Sequence, residues 1–333
     1  MADSEQFKAS LAPLIVATPV FPSNSDAGLD AISTNAMLRA RSETFLALLR
    51  AIRAHQWTKN LLVFVPLFLS HTLFRGAKIL AAAEAFLALS AAASAIYILN
   101  DLLDLDTDRK HPRKRHRPFA AGLLDYKTGL LMVAVLLLIS AIVASLLPRS
   151  AQLLILLYVM AAVLYSLALK QLIFMDIAVL AGLYTLRILL GGASSSTEIS
   201  PWTLAFAIFL FTSLAICKRL SELRRASVGP DGTLPRRAYS QKDLPLLAAL
   251  GAASAYASVL VLALYLNSPE VALLYGKAHI LWYLCPVLTY WISRILIIAN
   301  RGDMHDDPIV FAYRDLASYA AAAAVLIIVL CSL

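Results

Sequence analysis

Charged residues are scarce in this chain of 333 residues, at 15% of the total, whereas soluble domains average about 25%. Cysteine is rarer still: Cys217, Cys285 and Cys331 have no CxxC spacing and no neighbouring histidines, which argues against a zinc site or a disulfide framework. We interpret them as small apolar residues within helices. The sequence also lacks a Walker loop, a Rossmann fingerprint and a nucleophile elbow, so it does not indicate the common soluble nucleotide-binding or hydrolase folds.

Apolar residues make up 60% of the chain and fall into runs of about 17–25 residues, the length of an α-helix that crosses a membrane. Lipid cannot hydrogen-bond backbone groups, so such runs must be helical, and the short alternating segments of a membrane barrel are missing. The sequence therefore predicts an all-α integral membrane protein, a bundle of about nine transmembrane helices. The predicted spans are approximately 60–74, 79–100, 128–147, 151–169, 174–193, 202–217, 244–266, 278–299 and 315–332.

Residues 1–45 precede the first predicted span and differ from the rest in composition. They contain Pro13, Pro19 and Pro22, the last followed by a short polar stretch, SNS. This composition predicts a partly disordered cytoplasmic tail, followed by a transmembrane domain over residues 46–333.

The net charge of +8 is distributed unevenly across the predicted membrane. Of the 29 Lys and Arg residues, 23 lie before the first span or in the even-numbered loops, and two lie within spans. The opposite side carries the remaining four: Arg75, Lys78, Arg149 and Lys277. The positive-inside rule then places the N-terminus and the even loops in the cytoplasm of a multi-pass protein of the inner (plasma) membrane. The positive charge is a topology signal and does not indicate nucleic-acid binding.

The second predicted span ends in NDLLDLDTD, residues 100–108, which concentrates carboxylates at the membrane edge. Asn100, Asp104 and Asp108 are spaced i, i+4, i+8 and share one face of a continuing helix. Asp101 lies one turn from Asp104 and can join them. Crowded carboxylates repel one another unless a cation is present, and hard oxygen ligands suit Mg²⁺ shared with substrate phosphates. We predict a Mg²⁺ site here, with a solvated acidic helix end as the alternative.

A strongly basic run, RKHPRKRHRP at residues 109–118, follows directly. Alone, such a run is most often a topology signal or a contact for anionic lipid. Beside carboxylates that hold a metal, arginine and lysine can instead bind the remaining oxygens of a diphosphate. The candidate residues are Lys114, Arg115 and Arg117.

A second basic cluster, KRLSELRR at residues 218–225, opens the loop after the sixth span. Its Lys218, Glu222 and Arg225 follow roughly one helical face, and the cluster continues to Lys242. About half of these charges are expected to be ordinary loop charges. The candidates for substrate binding are Lys218, Arg219, Glu222 and Tyr239.

Polar residues also precede the first span, in the segment RAHQWTKN, residues 53–60. Gln56, Lys59 and Asn60 lie at helical spacing and can reach a phosphate from this position. The alternative is an ordinary juxtamembrane flank, in which Trp57 anchors the helix at the interface.

The fifth predicted span contains two charged residues, Asp176 and Arg187. They are eleven residues apart, about three helical turns, and so face the same way. A central arginine costs at least about 2.5–3.5 kcal/mol on insertion scales, which predicts that it faces a polar cavity. A structural salt bridge to another helix is the competing interpretation.

The loop after the eighth span reads RGDMHDDP, residues 301–308. Its carboxylates either contribute to the same cytoplasmic opening or cap a turn before the last span, and the sequence leaves both interpretations open.

These motifs together resemble the UbiA-type intramembrane prenyltransferase superfamily. Residues 100–108 match its NDxxDxxxD motif, and KRHRPFAAG at residues 114–122 is similar to its basic RP…G segment. Tyr165-Ser166 with Lys170, then Asp176 and the run LYTLR ending at Arg187, look like its fourth and fifth helices. The resemblance covers about residues 47–333 and implies a nine-helix bundle around a central cavity, with the active site on the cytoplasmic side.

One motif departs from the typical family pattern. Typical members carry a second aspartate motif, DxxxD, after the sixth helix, where this chain has KRLSELRR. The combination of QWTKN, NDxxDxxxD, KRxxEL and RGxMxDDP instead resembles the decaprenyl-phosphate phosphoribosyltransferase branch. Those enzymes join 5-phosphoribosyl diphosphate to a polyprenyl phosphate and release pyrophosphate. A basic second loop fits a donor whose 5-phosphate needs cations.

The resemblance implies Mg²⁺-dependent phosphoribosyl transfer for the synthesis of cell-envelope glycan precursors. The implied metal ligands are Asn100, Asp101, Asp104 and Asp108. The three aspartates would act catalytically with Lys59 and Arg117, and Tyr165 and Lys170 would join the substrate-binding residues. Two alternatives remain: prenylation of an aromatic acceptor by a polyprenyl diphosphate, and a membrane transporter. The sequence leaves a homo-oligomer open.

Overall fold

The computed structural model describes residues 43–72, 75–110, 114–225, 238–304 and 307–333. The chain divides into two compact units, residues 1–46 and 47–333. Within the first unit, residues 43–46 are described and are helical. The predicted tail therefore lies almost entirely outside the described residues. Throughout the described ranges the regular secondary structure is helical and includes no strand, which confirms the all-α prediction.

The second unit is built from long helices joined by short ones. The α-helices in chain order are α1 (Val65–Leu69), α2 (Gly76–Leu103), α3 (Leu105–Lys110), α4 (Tyr126–Ala144), α5 (Arg149–Leu167), α6 (Met175–Ser195), α7 (Pro201–Arg225), α8 (Leu244–Leu266), α9 (Pro269–Leu274), α10 (Leu284–Arg301), α11 (Pro308–Ala312) and α12 (Leu316–Ser332). The 3₁₀ helices are Ala54–Phe64, Lys114–His116, Leu169–Gln171, Gln241–Asp243 and Ala278–Tyr283.

Seven helices in the described ranges are long and apolar enough to cross a membrane, namely α2, α4, α5, α6, α7, α8 and α10, the last two with their preceding 3₁₀ turns. The ninth predicted span corresponds to α12, which has 17 residues, most of them apolar, and a length of about 26 Å, at the short end for a membrane helix. A count of nine remains a prediction for the first and last segments.

The first predicted span, 60–74, does not form a single straight helix. It begins inside the 3₁₀ helix Ala54–Phe64, and only Val65–Leu69 is α-helical. Pro66 lies at the start of this α-helix, where its missing N–H costs nothing, and it sets the change from one helix type to the other. The prediction of one continuous α-helix here was wrong.

Small residues let α2 pack closely at the centre of the bundle. It contacts α4, α5, α6 and the 3₁₀ helix. Five of its alanines are fully buried: Ala82, Ala85, Ala88, Ala92 and Ala95. Small side chains of this kind let helix backbones approach in a membrane, where lipid provides no hydrophobic force between helices.

One glycine fixes where the 3₁₀ helix meets α6. A Cβ built on Gly191 would lie 2.0 Å from the carbonyl oxygen of Val63, a distance that no side chain tolerates. The close contact brings the 3₁₀ helix against α6, and this placement positions its polar residues at the site described below.

The outer helices present apolar side chains outward. On α4, Leu131, Leu138 and Ile142 are 65%, 60% and 58% exposed. Only 17% of the apolar stretch of this helix is buried inside the protein. Apolar exposure on this scale is expected for a face in contact with lipid. The protein is thus a multi-pass membrane protein.

Candidate active site

A cavity of about 450 Å³ lies among α2, α5, α6, α7 and the 3₁₀ helix Ala54–Phe64. Twelve of the residues predicted from the sequence line it: Gln56, Lys59, Asn100, Asp101, Asp104, Lys114, Arg117, Tyr165, Lys170, Arg187, Lys218 and Glu222. The other six are described but lie outside its lining: Asn60, Asp108, Arg115, Asp176, Arg219 and Tyr239. Its lining carries eight Lys and Arg residues against four Asp and Glu residues, so it is strongly basic.

The acidic group forms where α2 ends. The helix stops at Leu103, Asp104 caps it, and α3 begins at Leu105. Backbone hydrogen bonds from Asp104 N to Asn100 O (2.9 Å) and from Asp108 N to Asp104 O (2.8 Å) keep the helical path across this junction. Asp104 lines the cavity. Asp108 does not line it, and its side chain is almost completely buried.

Two arginines neutralise the buried carboxylates of this group. Arg117 Nη1 lies 3.0 Å from Asp101 Oδ1 and 2.6 Å from Asp108 Oδ2. Arg53 Nη2 donates to Asp101 Oδ1 at 2.5 Å. Lys114 Nζ lies 3.9 Å from Asp108 Oδ1, and burial, together with the nearby Arg117 charge, lowers the pKa of this lysine. Acidic and basic side chains from separate motifs thus meet at one end of the cavity.

The acidic group fits Mg²⁺ that is shared with a bound phosphate rather than enclosed by protein. Asp101 Oδ2 and Asp108 Oδ1 are buried oxygens without a hydrogen-bond partner. However, in the described part of the chain no three His, Cys, Asp or Glu side chains are close enough to hold an ion by themselves. Mg²⁺ is commonly bound by one or two carboxylates together with substrate phosphates and waters. The donor set therefore suits an ion that arrives with a phosphorylated ligand.

The 3₁₀ helix explains how residues from one short segment reach the cavity. With three residues per turn, positions i and i+3 lie directly above one another. Gln56 and Lys59 have this spacing and both line the cavity. Arg53, three residues before Gln56, is the N-cap residue of the 3₁₀ helix and lines the cavity as well. An α-helical segment would have turned these side chains away from one another by about 60° per step.

A second charged group faces the cavity where the loop after α10 returns. Asp307 Oδ2 lies 3.0 Å from Lys59 Nζ and 3.3 Å from Lys218 Nζ. The hydroxyl of Tyr184 donates to Asp307 Oδ1 at 3.1 Å, and the Ile309 N–H donates to the same oxygen at 3.2 Å. The loop whose role the sequence left open therefore contributes a carboxylate to the cavity.

Burial and charge act in opposite directions on the pKa values of this group. Burial lowers the pKa of Lys59 to about 8, even though Asp307 favours its charged form. Burial alone would raise the pKa of Asp307, but the two ammonium groups of Lys59 and Lys218 outweigh it and hold that pKa well below its usual range. Asp307 is consequently ionised at neutral pH.

Arg187 forms the polar floor of the cavity together with tyrosines. Its guanidinium donates to Tyr158 Oη at 3.1 Å and to Leu183 O at 2.5 Å, and it lies 5.0 and 5.1 Å from the ring centroids of Tyr158 and Tyr184. Its Nε donates to Asn60 Oδ1 at 2.9 Å, and Asn60 in turn donates to Ser90. Asn60 therefore orients Arg187 from behind the cavity wall.

Asp176, Arg219 and Tyr239 form a buried network beside the cavity. Arg219 Nε lies 2.7 Å from Asp176 Oδ2, and both side chains are fully buried. The hydroxyl of Tyr239 donates to Asp176 Oδ1 at 2.7 Å and accepts from Phe174 N at 2.7 Å. Arg219 also pairs with Glu222, which does line the cavity. This is the interhelical salt bridge that the sequence offered as the competing interpretation of Asp176.

Arg115 lies apart from these groups. It is exposed in the 3₁₀ turn Lys114–His116, with its Nε 3.4 Å from His116 Nε2.

Several cavity residues were missed by the sequence analysis. They are Arg53, Tyr97, Tyr158 and Tyr184, while Asp307 belongs to the loop whose role the sequence left open. Tyr97 stands three residues before Asn100 on α2, so helical spacing from the acidic motif could have found it. Tyr184 stands three residues before Arg187 on α6 and carries the same kind of signal, whereas Tyr158 lies in an apolar run without one. Arg53 was detectable only from the 3₁₀ spacing, which the sequence did not indicate.

Comparisons with known proteins identify the family and the fold of this chain. The sequence model of the UbiA prenyltransferase family matches residues 61–316. The chain is similar in fold to a structure described as a UbiA homolog from Archaeoglobus fulgidus bound to GPP and Mg²⁺, with a TM-score of 0.65 and 16% identity, covering 85% of this chain and 99% of that one.

Three relatives show similarity in sequence. The uncharacterized protein y4nM of Sinorhizobium fredii is 38% identical over 273 residues, covering 81% of this chain but 53% of its own. The nodulation protein NoeC of Azorhizobium caulinodans is 36% identical over 278 residues, covering 82% and 89%. The decaprenyl-phosphate phosphoribosyltransferase of Corynebacterium glutamicum is 34% identical over 180 residues, covering 53% and 54%. The matched regions thus span about half the length of two of these relatives.

Proposed function

Because the chain belongs to the UbiA prenyltransferase family, we propose that it is a membrane transferase that moves a 5-phosphoribosyl group from phosphoribosyl diphosphate to a polyprenyl phosphate. Pyrophosphate is released, and the lipid product supplies cell-envelope glycan synthesis. The proposed site faces the cytoplasm, as the distribution of Lys and Arg predicts. The similarity to the Corynebacterium enzyme supports this specific reaction over part of the chain.

The observation that carries the proposal is the basic lining of the cavity. Eight Lys and Arg residues face four carboxylates in about 450 Å³. A donor with phosphates at both ends of a ribose matches a cavity with cations on several sides. A polyprenyl diphosphate carries its phosphates at one end only, and with an aromatic acceptor it would leave the cations around Arg187 and Lys218 without a second phosphate to bind.

Within this proposal the acidic group binds the leaving pyrophosphate. Asn100, Asp101 and Asp104 would hold Mg²⁺ on the diphosphate, with Asp108 supporting them through Arg117. When bound there, Mg²⁺ supplies stabilisation of the negative charge that develops on the leaving group. Arg117 and Lys114 are placed to contact the remaining phosphate oxygens, and each charge-assisted hydrogen bond contributes about 1.5–3 kcal/mol.

The acceptor requires little chemical activation by the protein. A polyprenyl phosphate is already anionic at neutral pH, so its oxygen can attack ribose C1 without a strong general base as the bond to pyrophosphate breaks. The task of the chain is to hold two anions that would otherwise repel each other. Lys59, Lys170 and Lys218 reach the cavity from three separate elements and supply positive charge for this purpose.

The decisive test offers purified protein two pairs of substrates in detergent with Mg²⁺. The first pair is radiolabelled phosphoribosyl diphosphate with a polyprenyl phosphate, and the second is a labelled polyprenyl diphosphate with an aromatic acceptor. The proposal expects label in the lipid extract only with the first pair. Transfer with the second pair alone would identify an aromatic prenyltransferase, and no transfer with either pair would bring back the transporter interpretation.

A further inference from the structure

The second charged group of the cavity has an unusual arrangement of ions. Two lysines from elements far apart in the chain, Lys59 and Lys218, converge on one oxygen, Asp307 Oδ2, at 3.0 and 3.3 Å. All three side chains line the cavity, and the Lys59 and Asp307 side chains are only 9% and 11% exposed. Two ammonium groups around a single desolvated oxygen form a site for an anion.

We propose that Lys59 and Lys218 form a seat for a phosphate monoester, and that Asp307 occupies this seat as a built-in competitor until the ligand displaces it. A phosphate oxygen would take the place of Asp307 Oδ2 between the two lysines. This assignment rests on the proposed function for its choice of ligands, since both the donor and the acceptor carry a phosphate monoester.

The surroundings of Asp307 suit displacement of its carboxylate. Its other oxygen, Oδ1, accepts from the hydroxyl of Tyr184. The same oxygen also accepts from the Ile309 N–H, because Asp307 is the N-cap residue of the short helix α11. As an N-cap residue, Asp307 does not belong to a long membrane helix, so a change of its side-chain rotamer is enough to withdraw Oδ2 from the two lysines. The lowered pKa of Lys59 is consistent with a lysine that is held in a buried, cation-rich place and gains from a stronger anion.

The chemistry of this seat differs from that of the acidic group. The ammonium groups of Lys59 and Lys218 surround Oδ2 of Asp307 and leave no carboxylate pair there for a metal ion. Glu222, one turn after Lys218 on α7, is held by Arg219. The seat therefore favours direct, metal-free binding of a phosphate, whereas the acidic group favours phosphate together with Mg²⁺.

The test measures binding of ribose 5-phosphate to the full chain in detergent, with a chelator present to exclude divalent metal. Asp307→Asn keeps the size of the side chain and its ability to cap α11 but removes the competing charge. The expected result is binding that is tighter by about tenfold or more. Lys218→Met should weaken binding by about ten- to hundredfold. Lys127→Met, at an exposed position on α4, is the matched control and should leave binding unchanged.

A second variant guards against a folding defect in Asp307→Asn. Tyr184→Phe removes one hydrogen bond that holds Asp307 in place, and it should tighten binding in the same direction by a smaller factor. If Asp307 is only structural, both variants will weaken binding or leave it unchanged, and the proposal is overturned. Unchanged binding in Lys218→Met overturns it equally.

The two sources of a phosphate monoester are separated by a parallel arm with geranyl phosphate. Binding of either compound with the expected dependence on Asp307 and Lys218 supports the seat, and the compound that binds tells whether the donor or the lipid uses it. Failure of both compounds in Asp307→Asn overturns the seat. This outcome is independent of the transfer assay: phosphoribosyl transfer without this binding pattern removes the seat alone, and this pattern without transfer removes only the proposed reaction.

Discussion

Replacing Asp104 with asparagine tests the proposed metal group with a minimal change. Asp104→Asn removes one negative charge but keeps the size of the side chain and one oxygen ligand. The Asp104 side chain is 28% exposed, lines the cavity, and has both carboxylate oxygens 3.5 Å from Lys170 Nζ. It is thus placed to reach a ligand in the cavity without being part of the buried core.

The structure predicts very different effects of this change on stability and on catalysis. A partly exposed ion pair such as Asp104 with Lys170 contributes only about 0–1 kcal/mol, so the free energy of unfolding should fall by no more than that. Loss of one electrostatic contact to the leaving group typically lowers kcat by about 10²–10³, or roughly 2.7–4 kcal/mol in the activation barrier. If Asp104 had only a structural role, the change would lower the free energy of unfolding strongly and kcat only slightly.

Asp106 provides the control within the same motif. Its side chain is 92% exposed and its carboxylate lies 3.6 Å from Arg109, away from the cavity lining. Asp106→Asn makes the same chemical change two residues away and should leave kcat within about twofold of wild type. An equal loss of activity in both variants would assign the effect to the general charge of the loop.

The assay is phosphoribosyl transfer in detergent across a Mg²⁺ titration, with thermal unfolding measured on the same preparations. The metal hypothesis expects a lower kcat and a higher Mg²⁺ requirement for Asp104→Asn, with little change in the unfolding temperature. Turnover of this variant at the wild-type rate, with the same Mg²⁺ dependence, would refute the assignment of Asp104 to the metal.

Three further predictions address other parts of the molecule. Asp176→Asn should destabilise the protein by about 3–5 kcal/mol because it removes the buried charge that pairs with the Nε of Arg219, whereas Tyr239→Phe should cost about 1.5–3 kcal/mol, both measured by unfolding in detergent. Since burial, together with the nearby charges of Lys218 and Arg187, lowers the Lys59 pKa to about 8 against the opposing effect of Asp307, kcat/KM for the donor should fall as the pH rises through that value, and Lys59→Arg should remove this step from the pH profile. Single cysteines introduced at the exposed residues Ser196 and Gln241, which flank α7, should be labelled from opposite sides of the membrane; labelling of both from one side would contradict the topology.

The parts of the site that were predictable are those encoded by local spacing. The acidic motif could be predicted because its carboxylates lie within nine residues at the end of an apolar run, and a run of that length must be a helix. On a continuing helix Asp106 lies about 200° round from Asp104, and its side chain is indeed exposed. Lys59 was selected for its helical spacing with Gln56 and Asn60, and Lys218 for the helical face that it shares with Glu222.

The parts that were not predictable depend on which helices become neighbours. A charged residue in an apolar run must meet either a cavity or a partner, and insertion cost does not distinguish between them. Arg187 meets the cavity and Asp176 meets Arg219, although eleven residues of one helix separate them and the sequence treats them alike. The role of Asp307 depends on a contact with Lys59 across most of the chain, which no local pattern encodes.

The polar contacts around Arg187 are relevant to the choice of donor in the proposed reaction. A buried arginine is costly in a membrane bundle, so its surroundings must compensate for the desolvation. Here Asn60, the Leu183 carbonyl and two tyrosines do so. These contacts keep a charged guanidinium at the cavity, where it can bind a phosphate of the ligand. If Arg187 and its partners were replaced together by apolar residues of similar volume, the cavity should lose affinity for a phosphorylated sugar and gain it for a prenyl diphosphate, which competition binding of the two ligands would measure.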